Sequence, residues 1–414
     1  MRIVILNHYA GSPEHGMEYR PYYMARQWRK AGHEVTIVAA SESHLRSKRV
    51  NVKGALTEQI IDGIRYVWLK TPKYHGNGAR RAVNMAAYVV QCIRHAKAIL
   101  RGERVDFVVA SSTYPLDIVA ARRLATLSGA KVVFEVHDLW PLTPTELGRL
   151  GRAHPFILVM QVAENLAYRS ADKVISLLPN TLGHMVDHGL DRDKFLYVPN
   201  GVDREAWQES RAPLPPEHAE QFETLRKRGH LIIGYAGSHG LANSLETLIE
   251  AAKLLRDRPV TFVLVGQGPD RDRLIEDVNS DGLDNVKFLP SVPRAAVPQL
   301  LAHFDAGYLG WRRQPLYRFG ISPNKLIDYM MAGLPVLHSV DAANDPVAEA
   351  DCGFSIAPED PETLSRAVNQ LMELSKEERI AMGERGRQYI LANQTYEVLA
   401  ERFLVGLRAV NSRH

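Results

Sequence analysis

Short, continuous apolar runs alternate with amphipathic segments along the first half of the chain. The first run covers residues 2–7, and after a polar loop a helix is predicted over 19–31, with Gly32 as its stop. A second apolar run covers residues 34–40. Runs of this length are typical of parallel strands whose two faces are both covered by helices. The same reasoning predicts strands at 64–69, 105–110, 131–136 and 172–178, and helices at 79–102, 117–128 and 155–168.

The same pattern restarts after residues 204–230, a charged segment with three prolines that is interpreted as a linker with a short helix. The second half then repeats the order of strand, loop and helix, with elements predicted at 231–236, 237–240, 242–255 and 305–310. This order predicts a ligand at the carboxyl ends of the parallel strands. The fold class is therefore α/β, with two doubly wound parallel-sheet domains over residues 1–203 and 231–392.

Composition limits the possible function classes. A length of 414 residues is enough for about two domains, and 45% hydrophobic with 24% charged residues is ordinary for a globular protein. A net charge of +4 gives no support for a nucleic-acid partner. Cys92 and Cys352 are far apart without metal-binding spacing, which predicts a reduced compartment. The apolar runs are too short for a signal peptide or a membrane span, so we expect any lipid substrate to be reached from the membrane surface.

Residues 319–336 predict a phosphate site. Gly320 is conformationally permissive, and Pro323 forces Ser322 away from the helical region. We therefore expect Ser322 as the N-cap and Pro323 in the first helical position, followed by a short helix over 325–331. A helix N-terminus at the end of a loop offers backbone N–H groups and a partial positive charge to a phosphate.

Two charged side chains complete this predicted site. Lys325 lies in the first turn of the helix, and Asp328 lies one turn further on, where a carboxylate can accept sugar hydroxyls. The stretch resembles the donor-binding motif of the retaining family 4 glycosyltransferases, in which Asp328 matches the second Glu, the residue that holds the ribose. The first Glu of that motif would fall on Gly320. A subgroup that builds bacterial surface polysaccharides carries Ser-Pro-x-Lys-Leu-x-Asp/Glu-Tyr-Met instead, and this chain is similar to that subgroup.

The resemblance implies where the nucleotide sugar binds in the second half. Most family members place an Arg and a Lys in the loop after the first strand of this half, and this chain has neither. The positive charge that neutralises the diphosphate would then come from Lys325 and Arg318, with Arg312 and Arg313 as further candidates. Backbone groups at residues 291–292 would read the base. The predicted donor-binding residues are Gly237, Ser238, His239, Gly240, Gly266, Gly268, Ser291, Val292, Arg318, Gly320, Ile321, Ser322, Asn324, Lys325, Leu326 and Asp328.

The first half supplies two more residues of the implied catalytic set, which is His137, Lys325 and Gly11. Gly11 lies in the loop after the first strand and corresponds to a residue that approaches the donor phosphate and the acceptor. His137 follows strand 131–136 and corresponds to a histidine that touches the donor sugar near the reacting centre, with Glu135 and Asp138 as further candidates. A plain strand-to-helix connection and a structural histidine are the alternatives at these two positions.

The resemblance also implies the GT-B architecture, in which two Rossmann-like domains face an inter-domain cleft. Residues 393–414 would form a C-terminal helix that returns to the N-terminal, acceptor-side domain. The implied activity is retaining transfer from a UDP-sugar, carrying an N-acetylated amino or 6-deoxy amino sugar, to a polyprenyl-diphosphate-linked or other saccharide acceptor. O-antigen or capsule synthesis is the implied setting. No metal or other cofactor is expected, because a helix N-terminus and Lys325 neutralise the leaving diphosphate, and the family mechanism needs no protein nucleophile.

Residues 79–102 combine apolar positions at helical spacing, among them Met85, Val89 and Val90, with charges that are all positive. Such a helix can lie on an anionic membrane surface, or it can pack its apolar face on the sheet with a solvated basic face. Residues 155–168 are apolar and predict either a core helix or a contact with a lipid tail. We therefore expect a cytoplasmic protein with peripheral contact at the inner face of the plasma membrane.

Two other functions stay open at this point. An enzyme similar to the UDP-N-acetylglucosamine 2-epimerases would share the fold and the donor, and it would turn the sugar over without an acceptor. A non-catalytic scaffold with a degenerate GT-B fold would account for the absent Glu and the absent Arg and Lys. Such a scaffold would bind nucleotide weakly or not at all.

Overall fold

The computed structural model describes residues 1–76, 78–148, 150–209 and 212–411. Residues 210–211 of the predicted linker and 412–414 of the predicted C-terminal segment therefore lie outside the described residues. The chain divides into two compact units, Met1–Asn200 together with the chain from Tyr396 onward, and Gly201–Thr395.

An eight-stranded sheet forms the centre of the first unit. Its strands are β1 (Arg2–Leu6), β2 (Glu34–Ala40), β3 (Leu56–Ile61), β4 (Ile64–Leu69), β5 (Phe107–Ala110), β6 (Lys131–Val136), β7 (Lys173–Ser176) and β8 (Phe195–Tyr197). They lie in the order β3-β4-β2-β1-β5-β6-β7-β8, and all neighbours are parallel except β3 and β4. The central strands are buried, as continuous apolar runs predict.

The antiparallel strand β3 was missed in the sequence because only one of its six residues is buried and its apolar run is short. The signal that could have found it is the dipeptide that joins it to β4. Asp62 and Gly63 have φ values of 48° and 76°, both in the left-handed region. An Asp-Gly pair with two positive φ values forms the tight turn that suits a two-residue hairpin.

The helices of the first unit before Gly201 are α1 (Arg20–Lys30), α2 (Ala79–Arg94), α3 (Ala96–Leu100), α4 (Asp117–Ser128), α5 (Leu142–Glu146), α6 (Pro155–Ser170) and α7 (Leu182–Asp187). The single helix predicted over 79–102 is wrong, because the chain leaves the helical conformation at His95 and then forms α3. Met85 and Val89 of α2 are buried as expected, whereas Val90, which was assigned to the same face, is 59% exposed.

A six-stranded parallel sheet forms the centre of the second unit. Its strands are β9 (Leu231–Ala236), β10 (Val260–Val265), β11 (Val286–Leu289), β12 (Ala306–Gly310), β13 (Val336–Ser339) and β14 (Gly353–Ser355), in the order β11-β10-β9-β12-β13-β14. Its helices are α8 (Arg204–Glu209), α9 (Pro216–Lys227), α10 (Leu245–Leu254), α11 (Arg271–Ser280), α12 (Val297–Leu301), α13 (Asn324–Met331), α14 (Pro346–Glu349), α15 (Pro361–Glu373) and α16 (Lys376–Asn393).

The segment interpreted as a linker contains two helices, α8 and α9, rather than one. Phe222 and Leu225 of α9 are buried in the core of the second unit. The imidazole of His218 lies 2.9 Å from the carbonyl oxygen of Pro290. Burial of this apolar face explains why a charged, proline-containing stretch becomes part of a folded unit.

Alternate residues of the central strands face opposite sides of the second sheet. Ile233 and Tyr235 of β9 belong to one buried cluster, and Ile232 belongs to the other. Helix α13 packs on the side of Ile232, where Leu326 and Met330 are buried. The hydrophobic core therefore fixes the helix that carries Lys325 and Asp328.

The last helix, α17 (Tyr396–Asn411), packs on α1 of the first unit. The rings of Trp28 and Phe403 are 4.9 Å apart, and the indole N–H of Trp28 donates to the carbonyl oxygen of Ala400. Tyr23 and Tyr396 stack with their ring centres 5.1 Å apart. These contacts place α17 in the core of the first unit, where the chain also begins.

Two glycines let α16 approach the end of α13 at backbone distance. A Cβ atom on Gly383 would lie 1.8 Å from the carbonyl oxygen of Gly333, and one on Gly386 would lie 3.0 Å from the Cβ of Cys352. Gly333 itself has a φ of 72° and terminates α13, as the sequence predicts. The position of α13 therefore depends on the absence of a side chain at Gly383.

We expect Gly383→Ala to destabilise the second unit by about 1–3 kcal/mol, although alanine normally favours a helix over glycine by about 1 kcal/mol. The added methyl group would overlap a backbone oxygen, which cannot move without shifting the end of α13. Urea denaturation followed by circular dichroism measures the difference. Gly183→Ala in α7 is the matched control, since a Cβ there meets nothing within 4 Å and should leave stability equal or higher. Equal midpoints for Gly383→Ala and the wild type would contradict the close approach.

Candidate active site

The N-terminal turn of α13 differs in one detail from the sequence prediction. The helix begins at Asn324 and its N-cap residue is Pro323, so the assignment of Ser322 as N-cap is wrong. Pro323 has an extended backbone, with φ −79° and ψ 129°, and makes no side-chain cap hydrogen bond. Gly320, with φ 96°, makes the sharp turn that precedes it. The first turn of a helix offers backbone N–H groups suited to an anionic ligand.

Lys325 is held at this turn by two neutral side chains. Its ammonium donates to the hydroxyl of Tyr235 at 2.7 Å and to the amide oxygen of Asn243 at 2.8 Å. It also lies 4.6 Å from the centre of the Tyr235 ring. Burial lowers the pKa of Lys325 from 10.5 to about 8. Neither hydrogen-bond partner carries a compensating negative charge, so the site favours an anion beside the ammonium.

Gly237 leaves the space that this lysine fills. A Cβ atom at Gly237 would lie 2.3 Å from Cε of Lys325, and the φ of Gly237 is 155°. The hydroxyl of Tyr235 donates to the carbonyl oxygen of Ser238 at 2.6 Å, and the amide of Asn243 donates to the same oxygen at 2.9 Å. The loop after β9 is thus tied to the residues that bind Lys325.

The glycines after β9 and β10 allow the two loops to pack against each other at backbone distance. A Cβ on Gly266 would lie 1.8 Å from the carbonyl oxygen of Gly237, and one on Gly268 would lie 2.3 Å from that of His239. The backbone N–H of His239 donates to the carbonyl oxygen of Gln267 at 2.9 Å. Contact between backbones accounts for Gly266 and Gly268 without any ligand. Gly240 is less confined, since its nearest neighbour would be Oγ of Ser238 at 3.7 Å.

His239 is fully buried and does not supply the charge that the family arginine would. Burial, followed by the charges of Arg271 and Lys325, lowers the pKa of His239 to about 4, so its ring is neutral at pH 7. Arg271, the first residue of α11, was missed in the sequence. Its influence on His239 shows that it adds positive potential beside the two glycine loops. The signal was available, because Arg271 follows the Gly-x-Gly segment by three residues.

The carboxylate predicted to hold the ribose already has a partner. Asp328 is buried, and both of its oxygens accept from the guanidinium of Arg294, with Nη2 2.7 Å from Oδ1. Arg294 has a half-exposed side chain and lies in the turn that follows Ser291 and Val292, the predicted base-reading pair. The structure therefore links the predicted ribose and base contacts through an arginine that sequence reasoning missed.

Several other predicted donor residues have local partners. The N–H of Ile321 donates to Oδ1 of Asn344 at 2.7 Å, and the amide of Asn344 donates back to the carbonyl of Ile321 at 3.1 Å. The guanidinium of Arg318 donates to the carbonyl oxygen of Pro315 at 2.6 Å. Arg312, a further candidate for the diphosphate, forms an ion pair with Glu246. The side chain of Leu326 belongs to the core, whereas Asn324 is exposed.

In the first unit, His137 belongs to a buried hydrogen-bonded cluster at the carboxyl end of β6. Its Nε2 lies 3.0 Å from Oγ of Ser111 and 3.3 Å from Oε2 of Glu135. Arg20 donates to Oε1 of Glu135 and to the carbonyl oxygen of Pro199. Burial alone would raise the pKa of Glu135, but Arg20 and His137 hold it well below its usual range. Glu135 is thus an anion that orients the His137 ring.

Gly11 is required by its own loop. A Cβ there would lie 1.8 Å from the carbonyl oxygen of Gly16, and the N–H of Gly11 donates to the carbonyl of Glu18 at 2.8 Å. The hydroxyl of Tyr66 donates to the carbonyl oxygen of Gly11 at 2.8 Å. These contacts explain the glycine as part of a folded loop. They leave its role toward donor and acceptor a prediction.

A second group of side chains at this edge of the sheet was missed in the sequence. Nε of Arg81 donates to the hydroxyl of Tyr9 at 3.1 Å, and its guanidinium lies 5.4 Å from the centre of the Tyr9 ring. The ring of Trp140 is 6.0 Å from the same guanidinium. His44 lies 2.7 Å from the hydroxyl of Tyr74. A cation among aromatic rings can bind an anionic or saccharide group.

Among the described residues, no helix combines the length and the apolar character needed to cross a bilayer.

Comparison with known proteins agrees with this arrangement. Residues 15–201 match the model of the glycosyl transferase 4-like domain, and residues 230–374 match that of the glycosyl transferases group 1. The chain is 25% identical over 398 residues to WcaI of Escherichia coli K12, named for colanic acid biosynthesis, covering 92% of this chain and 94% of that protein.

Two solved structures share the fold. HepE of Anabaena in complex with UDP has a TM-score of 0.68 and 17% identity, covering 99% of this chain and 100% of that one. WaaG, described as involved in lipopolysaccharide biosynthesis, has a TM-score of 0.63 and 18% identity, with 99% of both chains covered. The predicted α/β class with two parallel-sheet domains of the GT-B type is confirmed. The chain therefore belongs to the glycosyltransferases that join a glycosyl transferase 4-like domain to a group 1 domain.

Proposed function

We propose that the chain is a retaining glycosyltransferase that transfers a sugar from a UDP-sugar to a lipid-linked saccharide during surface-polysaccharide synthesis. The observation that carries this proposal is Lys325. It is a largely buried ammonium with neutral hydrogen-bond partners, beside the first turn of α13 and the glycine loops after β9 and β10. A nucleoside diphosphate supplies the negative charge that this site lacks.

The mechanism rests on electrostatic stabilisation of the leaving group. As the bond between sugar and phosphate breaks, charge develops on the diphosphate, and donors already in place lower the barrier. Lys325 and the N–H groups of α13 would take this charge, with Arg271 adding positive potential, so no metal is needed at the diphosphate. The acceptor hydroxyl would attack from the face that the phosphate leaves, and the phosphate would take its proton. The resemblance implies that His137 contacts the transferred sugar. Glu135 orients the His137 ring for this contact.

The donor and acceptor classes are supported by resemblance. HepE is described with bound UDP, WcaI is named for colanic acid biosynthesis, and WaaG is described for lipopolysaccharide biosynthesis. In this proposal the sugar is an N-acetylated amino or 6-deoxy amino sugar, and the acceptor is a saccharide on a polyprenyl diphosphate. The aromatic group around Arg81 in the first unit has the chemistry to bind such an acceptor.

Thermal unfolding with UDP, GDP, ADP, CMP and NAD, each in EDTA, tests the donor. We expect UDP to raise the unfolding midpoint, because a ligand at 100 times its dissociation constant adds about 2.7 kcal/mol to the folded state. Stabilisation by GDP instead would keep the mechanism and change the donor. No shift with any nucleotide would favour a non-catalytic scaffold, and UDP-sugar turnover without an acceptor would favour an epimerase.

Lys325→Met should abolish most transfer while leaving the fold intact. Removing one charged donor from a developing anion costs about 10²–10³-fold in kcat. Because the pKa of Lys325 is lowered to about 8, the charged form costs stability below pH 8, and this cost fades between pH 8 and 10.5. The variant should therefore unfold at an equal or higher temperature than the wild type at pH 7, with the gap closing by pH 10.

The matched control for this variant is Lys253→Met, which removes a partly exposed lysine that pairs with Glu250 and Asp281 on the surface of the second unit. Its turnover should stay within about twofold of the wild type, as expected for a surface ion pair. Equal turnover in Lys325→Met and Lys253→Met would remove Lys325 from the mechanism.

We also propose that the first unit contacts an anionic membrane from the cytoplasmic side. Val83 and Val90 of α2 are each 59% exposed, beside the exposed Arg80 and Arg94. On α6, the exposed apolar side chains are Leu158, Val159 and Val162. Trp140 connects these elements, with its ring 6.0 Å from Arg81 of α2 and 6.0 Å from the Phe156 ring of α6. Apolar side chains with basic neighbours suit a headgroup layer.

Pelleting with phosphatidylglycerol vesicles tests this surface. The double variant Arg94→Gln/Lys97→Gln should weaken binding roughly thirtyfold at low salt, since each cation near an anionic surface contributes about 1 kcal/mol. Val159→Gln/Val162→Gln should weaken binding at every salt concentration, because it removes apolar contact. The control is Arg256→Gln in the second unit. Wild-type protein that fails to pellet, or that pellets independently of salt, would contradict the membrane proposal.

A further inference from the structure

Three side chains with metal-binding chemistry meet where α6 packs against α7. Glu164 comes from α6, while His184 and His188 are spaced by four residues along α7 and its C-terminal cap. One ligand atom from each lies within 4.8 Å of the others. These residues, termed here the Glu164 triad, belong to the first unit and have no part in the glycosyl transfer proposed above.

The Glu164 triad is held in place by its own hydrogen bonds. Nε2 of His184 lies 3.0 Å from Oε1 of Glu164. Tyr168 donates its hydroxyl to the same oxygen at 3.0 Å, and Gln161 donates its amide to Oε2 at 2.7 Å. Nδ1 of His188 lies 3.0 Å from Oδ1 of Asn165. Side chains that orient metal ligands in this way are typical of the surroundings of zinc sites.

The second argument for a metal is that the carboxylate of Glu164 is buried without a permanently charged cation as a hydrogen-bond partner. Its side chain is 1% exposed, and its donors named above are an amide, a phenol and an imidazole, none of which carries a fixed positive charge. Burying a carboxylate costs free energy unless a cation or a metal compensates it. A divalent ion between Glu164 and the two imidazoles would supply that compensation.

We propose that the Glu164 triad binds a transition-metal ion of the zinc class. Two imidazoles and one carboxylate are ligands that Zn²⁺ prefers, whereas Mg²⁺ and Ca²⁺ prefer oxygen alone. Zinc with bonds of about 2.1 Å holds tetrahedral ligands about 3.4 Å apart, so a pair of ligand atoms at the 4.8 Å limit would have to close by about 1.4 Å through side-chain rotation. A water molecule would complete the fourth position.

The consequence of binding is structural. α7 is a helix of six residues, and a metal shared between its two histidines and Glu164 would fasten it to the sixteen-residue α6. An ion that binds the folded chain and not the unfolded one shifts the folding equilibrium toward the folded state. We therefore expect Zn²⁺ to stabilise the first unit, and to do so independently of UDP.

Isothermal titration with ZnCl₂ on the full chain, first treated with EDTA and dialysed, tests the proposal. We expect one ion per chain and a rise in the unfolding temperature, while MgCl₂ at the same concentration gives neither. His184→Gln/His188→Gln and Glu164→Gln should each weaken Zn²⁺ binding at least tenfold. His75→Gln removes an exposed histidine of the same unit and should bind Zn²⁺ as the wild type does.

Two readouts separate this site from a general loss of structure. The variants should keep the stabilisation by UDP, which reports on the second unit, and Glu164→Gln keeps the shape of the buried side chain. If the wild type binds no Zn²⁺, or if the double histidine variant binds it as tightly as the wild type, the triad is a hydrogen-bond network and the proposal is wrong.

Discussion

The second unit is organised around Lys325, a largely buried cation with neutral hydrogen-bond partners. Lowering the pKa of Lys325 from 10.5 to about 8 corresponds to roughly 3 kcal/mol against the charged form. The fold carries this cost because Tyr235 and Asn243 hold the ammonium, and because Gly237 has no side chain where the lysine lies. A bound diphosphate would stabilise the charged form. In the proposed function, this unfavourable free energy would be offset when the donor binds.

At the predicted ribose contact, unlike at Lys325, the charged side chain already has a charged partner. Asp328 already has a partner, because Arg294 donates to both of its oxygens. The side chain of Arg294 is half exposed, so water screens this ion pair and little free energy is needed to open it. In the proposed function, ribose hydroxyls would share this carboxylate with the guanidinium or displace it. Asn344 fixes the loop at Ile321 in a similar way.

Sequence reasoning found the elements whose signal is local. The runs of β2, β4 and β6 were predicted residue for residue, because buried parallel strands are continuous and apolar. It failed where contacts between distant residues determine the local structure or the partner of a side chain. His95 breaks a helix whose periodicity continues, and Arg294 is thirty-four residues from Asp328. The glycines at positions 266 and 268 are also required by the close approach of a neighbouring loop, which one sequence does not reveal, and their contact with the donor stays a prediction.

The buried charges of this chain separate into two kinds. Arg20 and Glu135 form a compensated pair, with the remaining guanidinium donors bonded to backbone oxygens, so this pair holds His137 rigidly in place. Lys325 and Glu164 are different, because the donors and acceptors around them carry no fixed opposite charge. A compensated pair gains nothing from a further ion, whereas an uncompensated charge gains the full attraction in a medium of low dielectric constant. This difference is the physical ground for proposing ligands at Lys325 and at Glu164, whereas His137 is positioned by interactions within the protein.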